Sequence, residues 1–291
     1  MHNGKVRLTV CAALLTFAGG LATPAVAQAT PTRIPVTETA YNAPAVYGRA
    51  AYLIDATTGK VQLSKQASKR MPVASLTKVM TAFVVLKEAK LTDTVTITSA
   101  DVEHADDNGA TSADLRPGDK VAVKDLLYGL MLPSGADAAH ALARTYGPGL
   151  DGFVAKMNAT AHRLGLKDTR YVNADGLPMS GGDGYSTARD QARLAEVALR
   201  DATFTAVTSS RRHHVPSTAD HRSYTWINTN KMLDTPGALG VKTGFTQAAG
   251  FCLTFAADRD GHRLVGVILG ESVSNRRFET AANLLDWART A

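Results

Sequence analysis

The chain has 291 residues, 45% hydrophobic and 20% charged, with a formal net charge of +6 at pH 7. This is ordinary globular composition with ample length for a large core. No basic stripe interleaved with aromatics points to nucleic acid, and no apolar run after residue 30 approaches the ~20 residues needed to span a bilayer.

In chain order, Lys5 and Arg7 precede an apolar run from Leu8 to Ala22, and Thr23-Pro24-Ala25-Val26-Ala27 ends in an A-x-A site. This predicts a secretory signal peptide over 1–27, with Gln28 as the first mature residue. Its removal takes Lys5 and Arg7 with it and leaves +4, a mild charge suited to work near anionic cell-wall polymer. Cys11 goes with the signal, so Cys252 is the only mature cysteine and no internal disulfide is expected. In Phe251-Cys252-Leu253 it reads as a buried small hydrophobe. Residues 28–46, rich in Thr, Pro and Ala, read as a flexible leader, and 47–291 as one catalytic domain.

The domain opens with a hairpin, Ala50–Ile54 and Val61–Leu63 around Thr57-Thr58-Gly59. A long apolar helix is predicted from Ser75 to about Ala89, then a short strand Thr94–Thr98. Helices follow at Val123–Leu132, Ala136–Tyr146 and Gly152–Leu164. Loops over Asn173–Pro178 and Ser180–Gly184 lead to a helix capped by Ser186 or Thr187 and running to about Arg200. Leu239–Thr246 is a strand. Gly250–Ala257 and His262–Leu269 form a second hairpin across Asp258–Gly261, and Asn275–Arg289 is a last helix packing through Phe278, Ala282, Leu285 and Trp287. Strands at both ends and helices between them predict an α+β fold: one antiparallel sheet flanked by helices, with a helical insertion.

Three short motifs carry the chemistry. Ser75-Leu76-Thr77-Lys78 puts a hydroxyl and an amine at i and i+3 on one helix face. Serine is a poor nucleophile until a base takes its proton, and Lys78 is placed to be that base. Ser134-Gly135-Ala136 and Lys242-Thr243-Gly244 follow in order. Alone each is weak; together they describe a serine acyl-transfer enzyme of the penicillin-recognising type. The histidines lack HExxH spacing and Asp106–Gly109 lacks that of a calcium loop, so no metal or cofactor is expected.

Met71–Thr81, Asn173–Leu177, Tyr185–Asp190 and Gly240–Thr246 resemble the corresponding segments of the low-molecular-weight penicillin-binding D-alanyl-D-alanine carboxypeptidases, over roughly residues 47–290. The resemblance implies the fold shared by β-lactamases and D,D-peptidases. It also implies peptidoglycan stem peptides ending in D-Ala-D-Ala as substrate and β-lactams as covalent inhibitors. Ser75 is then the nucleophile and Lys78 the base, made neutral by burial and by the charge of Lys242. Ser134 relays protons between Lys78, Lys242 and the leaving amine. Lys242 and Thr243 take the terminal carboxylate, Gly244 gives the ligand room, and the backbone N–H groups of Ser75 and Phe245 form the oxyanion hole.

The chain departs from the family at one point: Ala136 stands where the second motif usually has Asn, which removes a brace for Lys78, and Asp137 reads as a helix-start residue. A class A β-lactamase needs a glutamate for deacylation, and none lies between Gly135 and Ala195; Asp168 is the one acid near the expected spacing. A D,D-endopeptidase shares the chemistry, and a non-catalytic β-lactam or peptidoglycan sensor is the alternative of another class. A secreted, wall-associated monomer without a transmembrane anchor is expected.

Overall fold

A computed structural model describes residues 43–288; the signal-peptide reading and most of the leader lie outside them. The described chain runs β1 (Ala50–Asp55), β2 (Val61–Lys65), a 3-10 turn (Ala74–Leu76), α1 (Thr77–Glu88), β3 (Thr94–Thr96) and α2 (Ser99–Asp107). It continues β4 (Lys120–Ala122), α3 (Val123–Met131), α4 (Ala136–Tyr146), α5 (Gly149–Arg163), α6 (Ala188–Ala198) and α7 (Ala202–Ser209). It closes with β5 (Arg212–Val215), β6 (Tyr224–Ile227), a second 3-10 turn (Lys231–Asp234), β7 (Ala238–Thr246), β8 (Gly250–Arg259), β9 (His262–Glu271) and α8 (Arg276–Ala288).

The sheet expected from both ends is present: five antiparallel strands in the order β2-β1-β9-β8-β7. The β8–β9 hairpin turns on Asp260 and Gly261, both at positive φ, with Arg259 paired to His262. A two-residue Asp-Gly loop with both φ positive matches the twist of the flanking strands. Alternation along β1 sends Ala51 and Leu53 to one face, against α8, and Ala50 and Tyr52 to the other, against the main helical core. On α8 the buried stripe is Phe278, Ala281, Leu284 and Leu285, while Ala282 and Trp287 are only partly buried. α1 is buried from Thr77 through Val85, so it is the central helix of the insertion and a rigid base for whatever it carries.

The structure departs from the sequence reading at several elements. The helix at Ser75 begins as a 3-10 turn and becomes α-helical only at Thr77. The strand at Thr94 ends at Thr96 because Thr98 caps α2, a helix the sequence reading omitted. α7 and the β5–β6 hairpin were also unforeseen.

Asp101 joins α2 to α4. Its carboxylate accepts from His140 Nδ1 at 2.7 Å and from Arg144 at 2.8 and 3.1 Å, and closes the capping box with the Thr98 N–H at 2.8 Å. Burial opposes its charge, but these hydrogen bonds outweigh burial and hold its carboxyl well below the usual range. Its stabilisation is therefore complete above about pH 4, the unfolded value, and is lost as pH falls through the depressed folded value. Asp101→Asn is expected to lower the unfolding free energy by about 2–3 kcal/mol at pH 7, below the full buried-pair figure because Arg144 is partly exposed; urea denaturation measures it.

Candidate active site

Ser75 sits in the 3-10 turn between two buried anchors, Ala74 and Leu76. Ala74 has φ +50°, a left-handed conformation that costs a non-glycine residue about 1–2 kcal/mol. Three residues on, Lys78 is 1% exposed. Its Nζ lies 3.1 Å from Ser75 Oγ and donates to the backbone carbonyl of Asp175 at 3.1 Å. The i, i+3 spacing thus delivers the amine to the hydroxyl.

β7 brings the third motif to the same point. β7 is an edge strand, hydrogen-bonded only to β8, and an open edge is a template for an extended peptide. A Cβ on Gly244 would lie 3.0 Å from Val73 O and 3.2 Å from Ser75 N. The glycine therefore lets β7 approach the nucleophile turn itself, whereas the sequence reading gave it the task of making room for a ligand. Lys242 is 1% exposed and its Nζ donates to Thr243 O at 3.1 Å. Thr243 Oγ1 is 3.1 Å from Thr229 Oγ1. The half-exposed Phe245 ring stacks on Phe251 with centroids 4.4 Å apart.

Ser134 lies at the turn from α3 into α4 with φ +69°. Its hydroxyl is buried and has no hydrogen-bond partner, so the expected bridge to the two lysines is not formed. The Ser134 carbonyl accepts from Thr111 Oγ1 at 2.9 Å. Ala136 is buried, and its N–H is used by Thr111 O at 2.8 Å. Asp137 is no substitute brace. Its carboxylate accepts from the Ala113 and Leu115 N–H groups and from Ser112 Oγ, which fixes the loop over the α4 start. The brace on Lys78 is the Asp175 carbonyl.

Burial holds Lys78 below the ordinary lysine range, against the pull of the Asp175 and Asp137 carboxylates. Burial also pushes Lys242 well below that range, and the charges of Lys78 and Arg277 push it further. Burial, more than the charge of Lys242, is thus what makes a neutral amine available at Lys78.

Arg277 escaped the sequence reading. Its guanidinium is buried with Nε and Nη1 unpartnered and lies 5.0 Å from the Phe251 ring and 4.7 Å from that of Phe278. The signal was there: positions 277, 281 and 285 share one helix face, and the other two are apolar. The Arg277 charge acts on Lys242, and a buried guanidinium with orphaned donors is suited to pair with an anion. Asp168, by contrast, accepts from Arg70 Nε and Nη2 at 3.0 and 2.8 Å on the surface. The Cys252 thiol is buried and pushed up to about 11 by burial, which makes it a packing group.

The site therefore couples a hydroxyl to a buried amine of lowered proton affinity, beside an edge strand, a second buried lysine and a buried guanidinium. Comparison with known proteins bears on the family and the fold. The peptidase S11 family, described as D-alanyl-D-alanine carboxypeptidase, matches residues 37–273. The D-alanyl-D-alanine carboxypeptidase of Streptomyces sp. strain K15 is 37% identical, over 97% of this chain and 99% of the relative. The crystal structure of the Streptomyces K15 DD-transpeptidase superposes with a TM-score of 0.82 at 36% identity, covering 86% of this chain and all of that one. The D-alanyl-D-alanine carboxypeptidase structure from Mycobacterium tuberculosis H37Rv gives 0.80 at 33% identity, covering 86% and 94%. By the family match over most of the chain, the identity to these relatives and the shared fold, this chain belongs to the peptidase S11 family of serine D-alanyl-D-alanine carboxypeptidases.

Proposed function

We propose that the chain removes the terminal D-alanine from peptidoglycan stem peptides through an acyl-enzyme on Ser75, and that penicillins acylate the same hydroxyl. The observation that carries this reading is Lys78 Nζ, fully buried and 3.1 Å from Ser75 Oγ. Neutral Lys78 takes the serine proton as Oγ attacks the carbonyl between the two D-alanines. The oxyanion is met by the N–H groups of Ser75 and Phe245, each such donor being worth about 3 kcal/mol. The proton passes through Ser134, whose hydroxyl is free to turn, to the departing amine of D-alanine. Water then attacks the ester, with Lys78 as base again, and releases the shortened peptide.

The substrate's terminal carboxylate binds at Lys242, Thr243 and Arg277. Its charge favours the protonated form of Lys242, which makes that lysine the anchor and leaves Lys78 as the base. Arg277→Gln is expected to raise KM for a D-Ala-D-Ala peptide by about 10–100-fold with little change in kcat, the size of one lost charged hydrogen-bonding partner; steady-state kinetics on the dipeptide-terminated substrate checks it. A β-lactamase reading is disfavoured by Asp168, which is engaged by Arg70, so the penicilloyl ester should persist.

The reading places the enzyme outside the cytoplasm, exported by residues 1–27. No helix among the described residues is long and apolar enough to cross a membrane. The test is release of free D-alanine from diacetyl-L-Lys-D-Ala-D-Ala, with penicillin mass added to the peptide bearing Ser75. No release and no adduct would overturn the reading.

A further inference from the structure

We propose that His104 and Asp175 form a half-buried ion pair that positions and electrostatically tunes Lys78. The inference rests on Lys78 being the base. Asp175 touches Lys78 through its backbone: its carbonyl accepts from Nζ at 3.1 Å. Its side chain is 2% exposed and reaches the other way, with Oδ2 2.6 Å from His104 Nε2 on α2. Oδ1 accepts from the Leu177 N–H at 3.0 Å, closing a tight turn. The preceding carbonyl, of Ala174, accepts from Thr81 Oγ1 on α1 at 2.5 Å. One carboxylate thus fixes the loop that aims a carbonyl at the base.

The pair also sets the charge that Lys78 feels. The groups facing Lys78 are Asp175 from the loop, Asp137 from α4, Lys242 from β7 and Ser75 from its own turn. Those facing His104 are Asp175, Lys78, and Asp101 on its own helix. His140 from α4 stacks on its ring at 4.7 Å and is itself bound to Asp101, which also holds Arg144. The Asp175 hydrogen bond raises the His104 proton affinity against the opposing effect of burial. Burial disfavours charge on Asp175, but His104 and Lys78 outweigh it and keep the carboxyl depressed. With His104 protonated the pair is neutral, which offsets part of the pull of Asp175 on the Lys78 proton. With the partner removed, a bare buried carboxylate stands behind the base and favours its charged form. His104 is reached by solvent from a cavity of about 410 Å³ walled by His140, Leu150, Val154 and Met179, so it can exchange protons.

The test is the pH profile of the second-order rate of Ser75 acylation by penicillin, for wild type, His104→Gln, Asp175→Asn and the double variant. Asn can keep the Leu177 turn, since its carbonyl replaces Oδ1. His104→Gln should move the acid limb to higher pH by roughly one unit, so that acylation near pH 7 falls about 10-fold and recovers in base. Asp175→Asn should move the limb to lower pH, and the double variant should return most of the single variant's loss. A uniform loss of rate with no movement of the limb, or a double variant slower than both singles, overturns the proposal. Wild-type protein that penicillin does not acylate at all would instead overturn the functional reading beneath it.

Discussion

Ser75→Ala is expected to abolish D-alanine release and penicillin labelling together while leaving the fold intact. Among the described residues the Ser75 hydroxyl makes one hydrogen bond, with Lys78, and Lys78 keeps its second partner in the Asp175 carbonyl. The strain at this turn is in the backbone at Ala74 and does not depend on the Ser75 side chain. Losing a half-buried hydroxyl whose partner stays satisfied should therefore change stability by no more than about 0.5–1 kcal/mol. Activity should fall by about 10⁴-fold or more, because without Oγ there is no acyl-enzyme and only binding and the oxyanion donors remain. Intact mass after penicillin treatment reads the first effect and urea denaturation the second. An adduct on the Ser75→Ala protein would place the nucleophile elsewhere, and Ser134 would be the first residue to replace.

Much of this was legible because two kinds of signal are local. The Asp-Gly hairpin and the apolar runs of β8 and β9 announce themselves over ten residues each. The three motifs fix residue types that chemistry needs in order. α2 was not legible in this way. Its nine residues, SADVEHADD, bury only Asp101 and Ala105, so there is no apolar stripe to find, and the only sign was the Thr98–Asp101 capping box. β5 reads RHHV, with one fully buried residue, and its pairing to β6 depends on Tyr224 and Trp226 packing inward. The His104–Asp175 contact spans 71 residues and follows from α2, so missing the helix meant missing the pair. Asp175 read as a loop residue because spacing carries no information about a carbonyl. In the same way no motif could show that Ser134 holds a positive φ, or that Gly244 exists for the sake of Ser75.

The second large effect is expected at Gly176, which lies outside the three motifs and has no side chain to take part in the chemistry. Gly176 has φ +82°, and a Cβ there would lie 1.9 Å from the carbonyl oxygen of Ala74 and 2.7 Å from Thr77 Oγ1. The first of these is backbone of the nucleophile turn and cannot rotate aside. Nor is the loop free to retreat. The Gly176 N–H donates to Asn173 Oδ1 at 2.7 Å, Thr81 holds Ala174, and His104 holds Asp175. Gly176→Ala must therefore displace either the turn bearing Ser75 or the carbonyl that braces Lys78. The left-handed backbone and the overpacking together should cost about 2–4 kcal/mol, and a shift of this size at a reacting pair about 100-fold in acylation. Gly165→Ala separates the two causes. Gly165 has φ +75° with nothing within 4 Å of its missing Cβ, so it bears the backbone penalty alone, about 1–2 kcal/mol, and should acylate at the wild-type rate. If Gly176→Ala acylated as fast as Gly165→Ala, the loop would be a passive cover; if only Gly176→Ala slows, the contact between loop and turn is what holds serine and lysine in register.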